Sequence, residues 1–421
     1  MRKTALWGLA CLLPTLLAAQ ENTVRLEDLL KQALERNPQI RAAGLETEAM
    51  SYRIPQERTL PDPMFGLEFK NMGFPEFTLG REVMSGVGIT FSQAVPFPGK
   101  LRLRGEIAAK AYERQTQVSN SVVLGVLKDV KVAYFDLFVT LRTLGLLREQ
   151  KALLEKALEL TETKYSVGRG TQSDVFKARV EIARMDEMIT PMDEMVRALE
   201  ARLNTLRDLP ADRPLGVPEG PAVETLPASL EEIKAASAGG SPMTGEAALM
   251  VEEGQKMLAL AKKELSPDFV LGGGWEFKGR LPSMYEVMVG FEIPLYRRTK
   301  QSKMIEESAV RLESARSRLA SAKNDLALRV TEDFVKARSA ERLIKLYKET
   351  ILPLASLTVD SSLASYRVDK TDFLALLTDI ATSFSYKQAY FRELGELWSA
   401  IARLEEAAGR EIVNWGGARE D

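Results

Sequence analysis

Methionine is the residue type in this chain whose spacing most resembles that of a ligand-binding site. Four methionines step by three, four and three residues, which places them on one face of a helix: Met185, Met188, Met192 and Met195. Thioethers bind soft monovalent metal ions. Methionine is also a flexible filler of hydrophobic cores. We favour core packing for this row and keep a soft-metal site as the alternative.

Groups that usually carry catalysis are scarce. The 421 residues include no histidine and one cysteine, Cys11. Histidine is the commonest acid or base and metal ligand near neutral pH. The many Asp and Glu residues lie in helical patterns that read as solvated faces. We therefore expect no enzyme and no cofactor, and the mildly acidic net charge of −2 does not suggest a nucleic-acid partner.

The first 19 residues have the zones of a secretory signal peptide. Arg2-Lys3 is followed by an apolar stretch and then by Ala18-Ala19. We expect cleavage after Ala19. The residues before Cys11 faintly resemble a lipoprotein signal, but the apolar stretch there is short and a better cleavage site lies downstream, so lipidation of Cys11 is not favoured.

An internal repeat organises the rest of the chain. Residues 66–70 read Gly-Leu-Glu-Phe-Lys, residues 274–278 read Gly-Trp-Glu-Phe-Lys, and a very long helical pattern follows each copy. We therefore divide the chain into similar halves. The expected segments are a first repeat over 20–208, a Pro/Gly-rich linker over 209–242 with a short helix at 229–238, a second repeat over 243–408, and a loose polar tail over 409–421.

Each repeat is expected to contain one β-hairpin, over 64–95 and 269–293. The predicted strands are Met64 to Lys70, Val83 to Val95, Phe269 to Lys278 and Tyr285 to Ile293. In the second strand, apolar residues alternate with small ones, since Val87, Ile89 and Phe91 point one way and Gly88 and Thr90 the other. This alternation is typical of a membrane barrel wall between lipid and a wet lumen. The strand lengths are close to those of tilted membrane strands.

Helices occupy most of the remaining sequence. A helix over 24–59 is expected, with a local break at Asn37-Pro38 and an end at Pro55, Pro61 and Pro63. Long helices follow over 101–163 and 299–362. The first has a heptad seam at Val123, Leu127, Val130, Tyr134, Leu137, Leu141 and Leu144. The second has a seam, with one step broken near Glu341, at Val330, Phe334, Ala337, Ile344, Tyr347, Ile351 and Leu354.

A turn follows each long helix. In the first turn, over 165–172, Gly168 and Gly170 are expected to permit positive φ, and Ser173 or Asp174 is expected to cap a return helix running to about residue 208. The second turn, over 366–371, occupies the same place at an offset of 201 residues. A final helix is expected over 372–408.

These elements predict a tube. Four membrane-type strands cannot close a barrel, and open sheet edges are not tolerated in lipid. Three protomers would supply twelve strands and a closed wall. The long helices carry too many charges to enter hydrocarbon, so they must project into water. The predicted fold class is mainly α with a small membrane β part.

The chain resembles the TolC-type outer-membrane efflux proteins along essentially its whole mature length. The resemblance rests on the doubled hairpin-and-helix order, the Leu26 to Pro38 pattern, Phe91-Ser92-Gln93 before Pro96, and Tyr-Ser-Val-Gly at 165–168. It implies a homotrimeric duct with a twelve-stranded barrel in outer-membrane lipid and an α-barrel in the periplasm, docked to a periplasmic adaptor and an inner-membrane pump. Pro-Phe-Pro-Gly-Lys at 96–100 resembles the branch paired with cation-exporting pumps.

The resemblance also implies a periplasmic gate at the two turns. Asp174 and Tyr366 match the family's linking acid and tyrosine, although position 369 is Asp instead of the usual Gly, and Thr371 replaces a basic residue. Arg367 or Lys370 is expected to substitute for that base. The full set of gate candidates is Tyr165, Asp174, Tyr366, Arg367, Asp369, Lys370 and Asp372. The turns expected to dock the adaptor carry Gly168, Gly170 and Val368.

Several alternatives remain open from the residues alone. Asp174 is equally well explained as a helix cap, and Tyr165 and Tyr366 as packing residues. Exported metal cations or drugs fit the duct, and so does a secreted protein or peptide. A periplasmic coiled-coil scaffold without a pore explains the heptads but not the alternating hairpins.

Overall fold

The computed structural model describes residues 23–415, so the expected signal peptide and Cys11 lie outside the described residues. The first half begins with a short strand, two helices and a hairpin. The chain then forms a very long helix and a return helix. The elements are β1 (Thr23–Val24), α1 (Leu26–Arg36), α2 (Pro38–Arg58), β2 (Met64–Lys70), β3 (Gly86–Val95), α3 (Lys100–Ser166) and α4 (Gln172–Leu206).

The second half repeats this order after the linker. Its long helix is interrupted by one π-helical turn, Tyr347–Ile351. The elements are β4 (Val217–Pro218), α5 (Leu230–Gly240), α6 (Pro242–Lys263), β5 (Asp268–Lys278), β6 (Leu281–Glu292), α7 (Gln301–Leu346), α8 (Leu352–Arg367) and α9 (Phe373–Ala408). The expectation of a mainly helical fold with a small β part is confirmed.

The two hairpins lie side by side in one antiparallel sheet with the strand order β2-β3-β5-β6. Its register keeps the alternation of the sequence across all four strands. One face carries apolar or aromatic side chains at most positions, among them Phe65, Leu67, Ile89, Trp275 and Val287. Within the described residues, the outer edges of β2 and β6 pair with no other strand.

The opposite face of the sheet is small or polar. Glycines occupy many of its positions, and charged side chains gather towards the hairpin tips. There, the Lys70 ammonium lies 3.2 Å from the Glu68 carboxylate and 3.5 Å from that of Glu276. Most apolar residues thus lie on one face and most small or polar residues on the other, with Met64, Val270, Met284 and Met288 as exceptions on the second face.

The long helices form a wall in which α3 is central. At 1.5 Å per residue, α3 is about 100 Å long. In the half of the wall nearer the turns, α3 packs along α4 on one side and α9 on the other, while α9 packs against α7 and α8. In the half nearer the sheet, α3 packs against α2 and α6, and α6 packs against α7. The outer edges are therefore α2 and α4 on one side and the α7–α8 pair on the other. None of the helices over residues 23–415 has the length and apolar character needed to cross a membrane.

A buried lysine joins the sheet to the helices. Lys100, the first residue of α3, is 1% exposed. Its ammonium donates to Glu264 Oε2 at 2.8 Å, to Asp268 Oδ2 at 3.0 Å and to the Ser266 carbonyl at 3.3 Å. Asp268 begins β5 and also accepts from the Phe97 amide at 2.6 Å. The start of α3, the end of α6 and the start of β5 are therefore held at one point.

The largest cluster of buried side chains, which we call the central core, forms where the linker crosses α3 and α9. The Tyr134 hydroxyl bonds the carbonyls of Val24 and Glu219 at 2.8 and 2.7 Å. The Trp398 indole donates to the Val223 carbonyl at 2.7 Å. The linker is therefore fixed along the bundle by hydrogen bonds from core aromatic residues.

The tail after α9 is also fixed, so the expectation of a loose tail is wrong for residues 409–415. Glu405 forms a buried ion pair with Lys131 at 2.7 Å. Its carboxylate accepts from the amides of Ile412 and Val413 and from the Trp415 indole. Trp415 is 7% exposed and packs on Phe135. Sequence polarity did not reveal this anchor because the anchoring acid belongs to the preceding helix.

Some predicted element boundaries are wrong. Pro55 lies inside α2, which continues to Arg58. The strand β3 begins at Gly86 instead of Val83, because residues 83–85 belong to the hairpin loop, and β6 begins at Leu281 instead of Tyr285. The break at Asn37 is confirmed: its side chain accepts from the amides of Gln39 and Ile40 and so caps α2.

The second heptad seam is confirmed only above the π-helical turn. Val330, Ala337 and Ile344 are buried, whereas Leu354 is 59% exposed. The irregularity lies at Tyr347–Ile351, not at Glu341. In the first seam Val130, Tyr134, Leu137 and Leu144 are buried as expected.

We expect Glu405→Gln to destabilise the protein by about 3–5 kcal/mol, because it leaves the Lys131 ammonium buried without a counter-charge. Denaturant unfolding in detergent would measure this loss. Glu406→Gln is the matched control, since Glu406 faces Lys128 at the partly exposed surface and should cost at most about 1 kcal/mol. Equal losses in the two variants would contradict the role of the buried pair.

Candidate functional site at the helical turns

The first turn is built around a threonine cap. Thr171 accepts from the Asp174 amide at 3.2 Å and donates to the Asp174 carboxylate at 2.7 Å. Thr171 is therefore the N-cap of α4, and the prediction that Ser173 or Asp174 caps this helix is wrong. Asp174 instead lies in the first helical turn, where an acid is favourable beside the helix N-terminus.

The glycines of this turn have different roles. Gly168 has a φ of +75°, as expected. Gly170 does not have positive φ, but a Cβ there would lie 3.1 Å from the Tyr165 nitrogen, so the tight approach of the backbone favours glycine. The Tyr165 side chain is 48% exposed.

The second turn repeats this backbone with different residues. Asp372, 201 residues after Thr171, caps α9 by accepting from the Ala375 amide at 2.7 Å. Asp369, the counterpart of Gly168, has a φ of +63°. A non-glycine residue rarely adopts this conformation, although Asp tolerates it better than most. The Asp372 carboxylate is thereby used as a cap.

Lys164 joins the two turns within one protomer. Its ammonium donates to the Tyr366 carbonyl and to the Asp369 carboxylate. It also lies over the Tyr366 ring, 4.4 Å from the centroid. Lys164 is 8% exposed. We call this set of contacts the Lys164 link.

A hydroxyl pair supports the Lys164 link from above. The Tyr366 hydroxyl shares a hydrogen bond of 3.1 Å with that of Thr161. The Tyr366 ring packs on Phe373, with 5.6 Å between centroids, in a second buried cluster that also contains Leu154 and Met185. Tyr366 thus both packs the turn and connects α3 to α8.

The structure brings together only part of the predicted gate. Tyr366 and Asp369 meet at Lys164, while Tyr165 and Asp174 stay on the first turn. Among the described residues Arg367 and Lys370 pair with no carboxylate. The cation that pairs with Asp369 is Lys164, which the sequence reasoning missed. A lysine directly before Tyr165 was visible in the sequence, but not that its side chain would cross to α8.

The positive charge of Lys164 favours the ionised form of the Asp369 carboxyl group. The hydrogen bond from Lys164 lowers the pKa of Asp369 below its ordinary value, with further attraction from Lys164 and Arg169. The stabilisation from this pair is therefore fully present above the ordinary Asp pKa. It is lost only as the pH falls through the lowered pKa.

The methionine row divides into two. Met185 is 3% exposed and Met192 packs against the second buried cluster. Met188 and Met195 are 38% and 51% exposed. Core packing thus accounts for two of the four, and the exposed pair lies on an outer edge of the helical wall.

Comparison with known proteins finds one family whose sequence model matches part of the chain. The sequence model of the family described as "Outer membrane efflux protein" matches residues 29–205, which form most of the first repeat. The resemblance to the outer membrane efflux proteins is confirmed. The expected location, the outer membrane with a helical extension into the periplasm, is also confirmed.

Two curated outer membrane efflux proteins share part of the chain. They are the probable efflux pump outer membrane protein SepC and the toluene efflux pump outer membrane protein TtgF, from two strains of Pseudomonas putida. Each is 26% identical over 201 residues, covering 45% of this chain and 42% of the relative. The chain thus matches less than half the length of these relatives.

Solved outer membrane channels share the fold over nearly the whole chain. The outer membrane protein VceC of Vibrio cholerae superposes with a TM-score of 0.78 at 15% identity, covering 92% of this chain and 97% of that chain. The MtrE channel of Neisseria gonorrhoeae, solved in an open state, gives 0.72 at 18% identity, covering 92% and 89%.

We expect Asp369→Asn to loosen the second turn, because Asn tolerates positive φ but removes the charge that Lys164 holds. Hydrogen exchange of the amides at 365–372 should become faster near neutral pH. In the unmodified protein, exchange should accelerate only below the ordinary Asp pKa. Lys177→Met is the control, since Lys177 lies 3.8 Å from Asp174 on the first turn. Slow exchange in the Asn variant would argue against the Lys164 link.

Proposed function

We propose that this protein is the outer-membrane duct of a tripartite efflux system and acts as a homotrimer. The observation that carries the proposal is the four-stranded sheet with one mainly apolar face, one mainly small or polar face and two edges that pair with no other strand among residues 23–415. Hydrocarbon does not tolerate unpaired strand edges. Joining β2 of each copy to β6 of the next closes a twelve-stranded barrel from three copies.

The helical wall continues this barrel into the periplasm. The chain passes from β3 to α3 through only four residues, 96–99, and from β6 to α7 through eight, 293–300. Lys100 fixes the first of these connections. Twelve helical segments, four from each copy, then surround the same axis as the barrel, so substrate passes through one continuous conduit.

The duct is passive, and its partners supply the energy and the cargo. We place the adaptor contact at the two turns, where Val167 and Val368 are 65% and 62% exposed beside Gly168 and Gly170. An inner-membrane pump delivers the substrate through that adaptor. Small molecules or metal cations are the proposed cargo, in keeping with relatives named for efflux pumps.

Reconstitution tests the duct directly. The purified full chain in planar bilayers should form trimers and conduct ions. Deleting its gene should sensitise the cell to the pump's substrates, and the intact gene should restore resistance. A chain that neither trimerises nor conducts would be a scaffold, and the apolar face of the sheet would then have no role in lipid.

The two faces of the sheet make a residue-level prediction. Val287→Lys should destabilise the membrane-inserted protein by about 2–4 kcal/mol, because it puts a charge on the lipid side. Met288→Lys, at the neighbouring position on the lumen side, should cost much less. Unfolding from lipid vesicles measures both. Similar losses at the two positions would contradict the assignment of the faces.

The Lys164 link makes a prediction about gating. Lys164→Met and Asp369→Asn should each raise the single-channel conductance or open probability, because the end of α8 loses its tie to α3. Tyr366→Phe should have a smaller effect, since it removes only the hydrogen bond to Thr161. Lys177→Met is the control. Unchanged conductance in the first two variants would contradict a role of the Lys164 link in gating.

A further inference from the structure

One buried cation of this chain has no acid beside it. Among the described residues, the buried Lys and Arg side chains are Lys100, Lys131, Lys164, Arg207 and Lys278. Each of the lysines has a carboxylate no more than 3.8 Å away, and the partners in the same order are Glu264, Glu405, Asp369 and Glu276. Arg207 is 6% exposed and forms no ion pair within residues 23–415. A buried charge without a counter-charge is destabilising, so the surroundings of Arg207 differ from those of every other buried cation in this part of the chain.

The hydrogen bonds of Arg207 go to neutral acceptors. Its Nε donates to the Leu203 carbonyl at 3.1 Å, and its Nη1 donates to Gln32 Oε1 at 3.0 Å. Its Nη2 donates to Asn204 Oδ1. A guanidinium group has five N–H donors, so these contacts leave one N–H unused on each terminal nitrogen. Two parallel N–H donors are what a guanidinium group offers to the oxygens of a carboxylate or phosphate.

Two further arginines lie with Arg207 around one cavity. The cavity has a volume of about 350 Å³, and its charged lining residues are Asp28, Arg36, Arg207 and Arg213. Arg36 and Arg213 are exposed and form no ion pair among the described residues. Burial, and then the like charges of Arg213 and Arg36, lower the pKa of Arg207, but arginine keeps its proton at neutral pH. Three positive charges and one negative charge therefore share the cavity.

Hydrogen bonds between distant segments hold the walls of this cavity together. The fully buried Asn204 side chain donates to the carbonyls of Ala211 and Arg213 at 3.2 and 2.7 Å, which folds the start of the linker back on α4. The Asn37 side chain donates to the Leu206 carbonyl at 2.9 Å, which ties the junction of α1 and α2 to the end of α4. The fold therefore holds the three segments that carry the arginines against one another.

We propose that this cavity binds a phosphate-type oxyanion, which supplies the counter-charge that Arg207 lacks. The planar guanidinium group matches the geometry of phosphate oxygens. Arg207 donates through its two unused N–H groups, and Arg36 and Arg213 close on the same anion from the exposed rim. The cavity has room for a phosphate group with its waters, or for a phosphate carried on a small organic molecule. Because the arginines belong to α1, the end of α4 and the linker, the anion stabilises the joint between these segments.

The position of the cavity favours a soluble anion over a lipid headgroup. Val24 lines the cavity, and its carbonyl accepts from the Tyr134 hydroxyl at 2.8 Å. Tyr134 lies about 50 Å along α3 from Lys100, at 1.5 Å per residue. With the sheet in the outer membrane, lipid phosphates do not reach this site, and the ligand comes from the periplasm. This choice of source rests on the proposed position of the sheet, whereas anion binding itself does not.

Thermal unfolding of the full chain in detergent tests the site. In Tris chloride buffer at constant ionic strength, inorganic phosphate should raise the Tm, and above the Kd the rise should grow with the logarithm of the phosphate concentration. Equilibrium dialysis with labelled phosphate should find one site per chain. Glycerol phosphate, a small phosphate monoester, is the second probe. Tighter binding of the monoester would identify a phosphate carried on an organic molecule as the ligand, and weaker binding would identify free phosphate.

Arginine variants separate this site from non-specific effects of salt. Arg36→Gln and Arg213→Gln should each weaken phosphate binding by about tenfold, because each removes a hydrogen bond between charged groups. Both residues are exposed, so the fold should be retained, and circular dichroism checks this. Arg202→Gln is the matched control, since Arg202 lies on α4 outside the cavity, 3.9 Å from Asp129, and phosphate binding should be unchanged.

Two results would overturn the anion site. One is a Tm that rises no more with phosphate than with chloride, and the other is unweakened phosphate binding in both cavity variants. A chain that binds phosphate but neither trimerises nor conducts would instead overturn the proposed function and leave the anion site standing.

Discussion

The unpaired edges of the sheet are the constraint on which the rest of the molecule depends. A backbone amide or carbonyl left without a partner in hydrocarbon costs several kcal/mol, so in the proposed duct β2 and β6 pair with strands of neighbouring copies. In that barrel, closure fixes how many copies meet and how each is tilted. Every helix that leaves the sheet inherits this arrangement, and the buried Lys100 transmits it without a flexible connection.

Local periodicity explains why much of the fold was predictable. Alternation in 87–91 showed strand faces directly, since side chains on a strand alternate by necessity. The 3,4 spacing from Val130 to Leu144 showed a buried stripe on a helix, and the offset of 201 residues aligned the two turns. Each of these signals depends only on residues near one another in the sequence. The same offset correctly paired Gly168 with Asp369, whose backbones are both left-handed.

The features that were missed depend on distant residues. Lys164 and Asp369 are separated by 205 residues, and nothing near either one indicates the other. Glu405 accepts from the Trp415 indole and also pairs with Lys131 of α3, which is far away in the sequence. The error at the N-cap of α4 has a different cause, because the two residues involved are near each other in the sequence. Asp174 and Thr171 are both residue types that cap helices well, and the backbone geometry makes Thr171 the cap. Sequence patterns do not predict which side chains bridge two elements that are distant in the sequence.

The π-helical turn between α7 and α8 shifts the heptad pattern of this long helix by one residue. Above it, Val330, Ala337 and Ile344 recur every seven residues in the central core. Below it, Leu352, Val359 and Tyr366 also recur every seven, but eight residues separate Ile344 from Leu352. The turn at Tyr347–Ile351 therefore absorbs a single-residue insertion in the heptad frame. Without it, Tyr366 would be rotated by about 100° around the helix, away from Lys164. The alignment of the turn therefore depends on one extra residue about 25 Å away along the helix, at about 1.5 Å per residue.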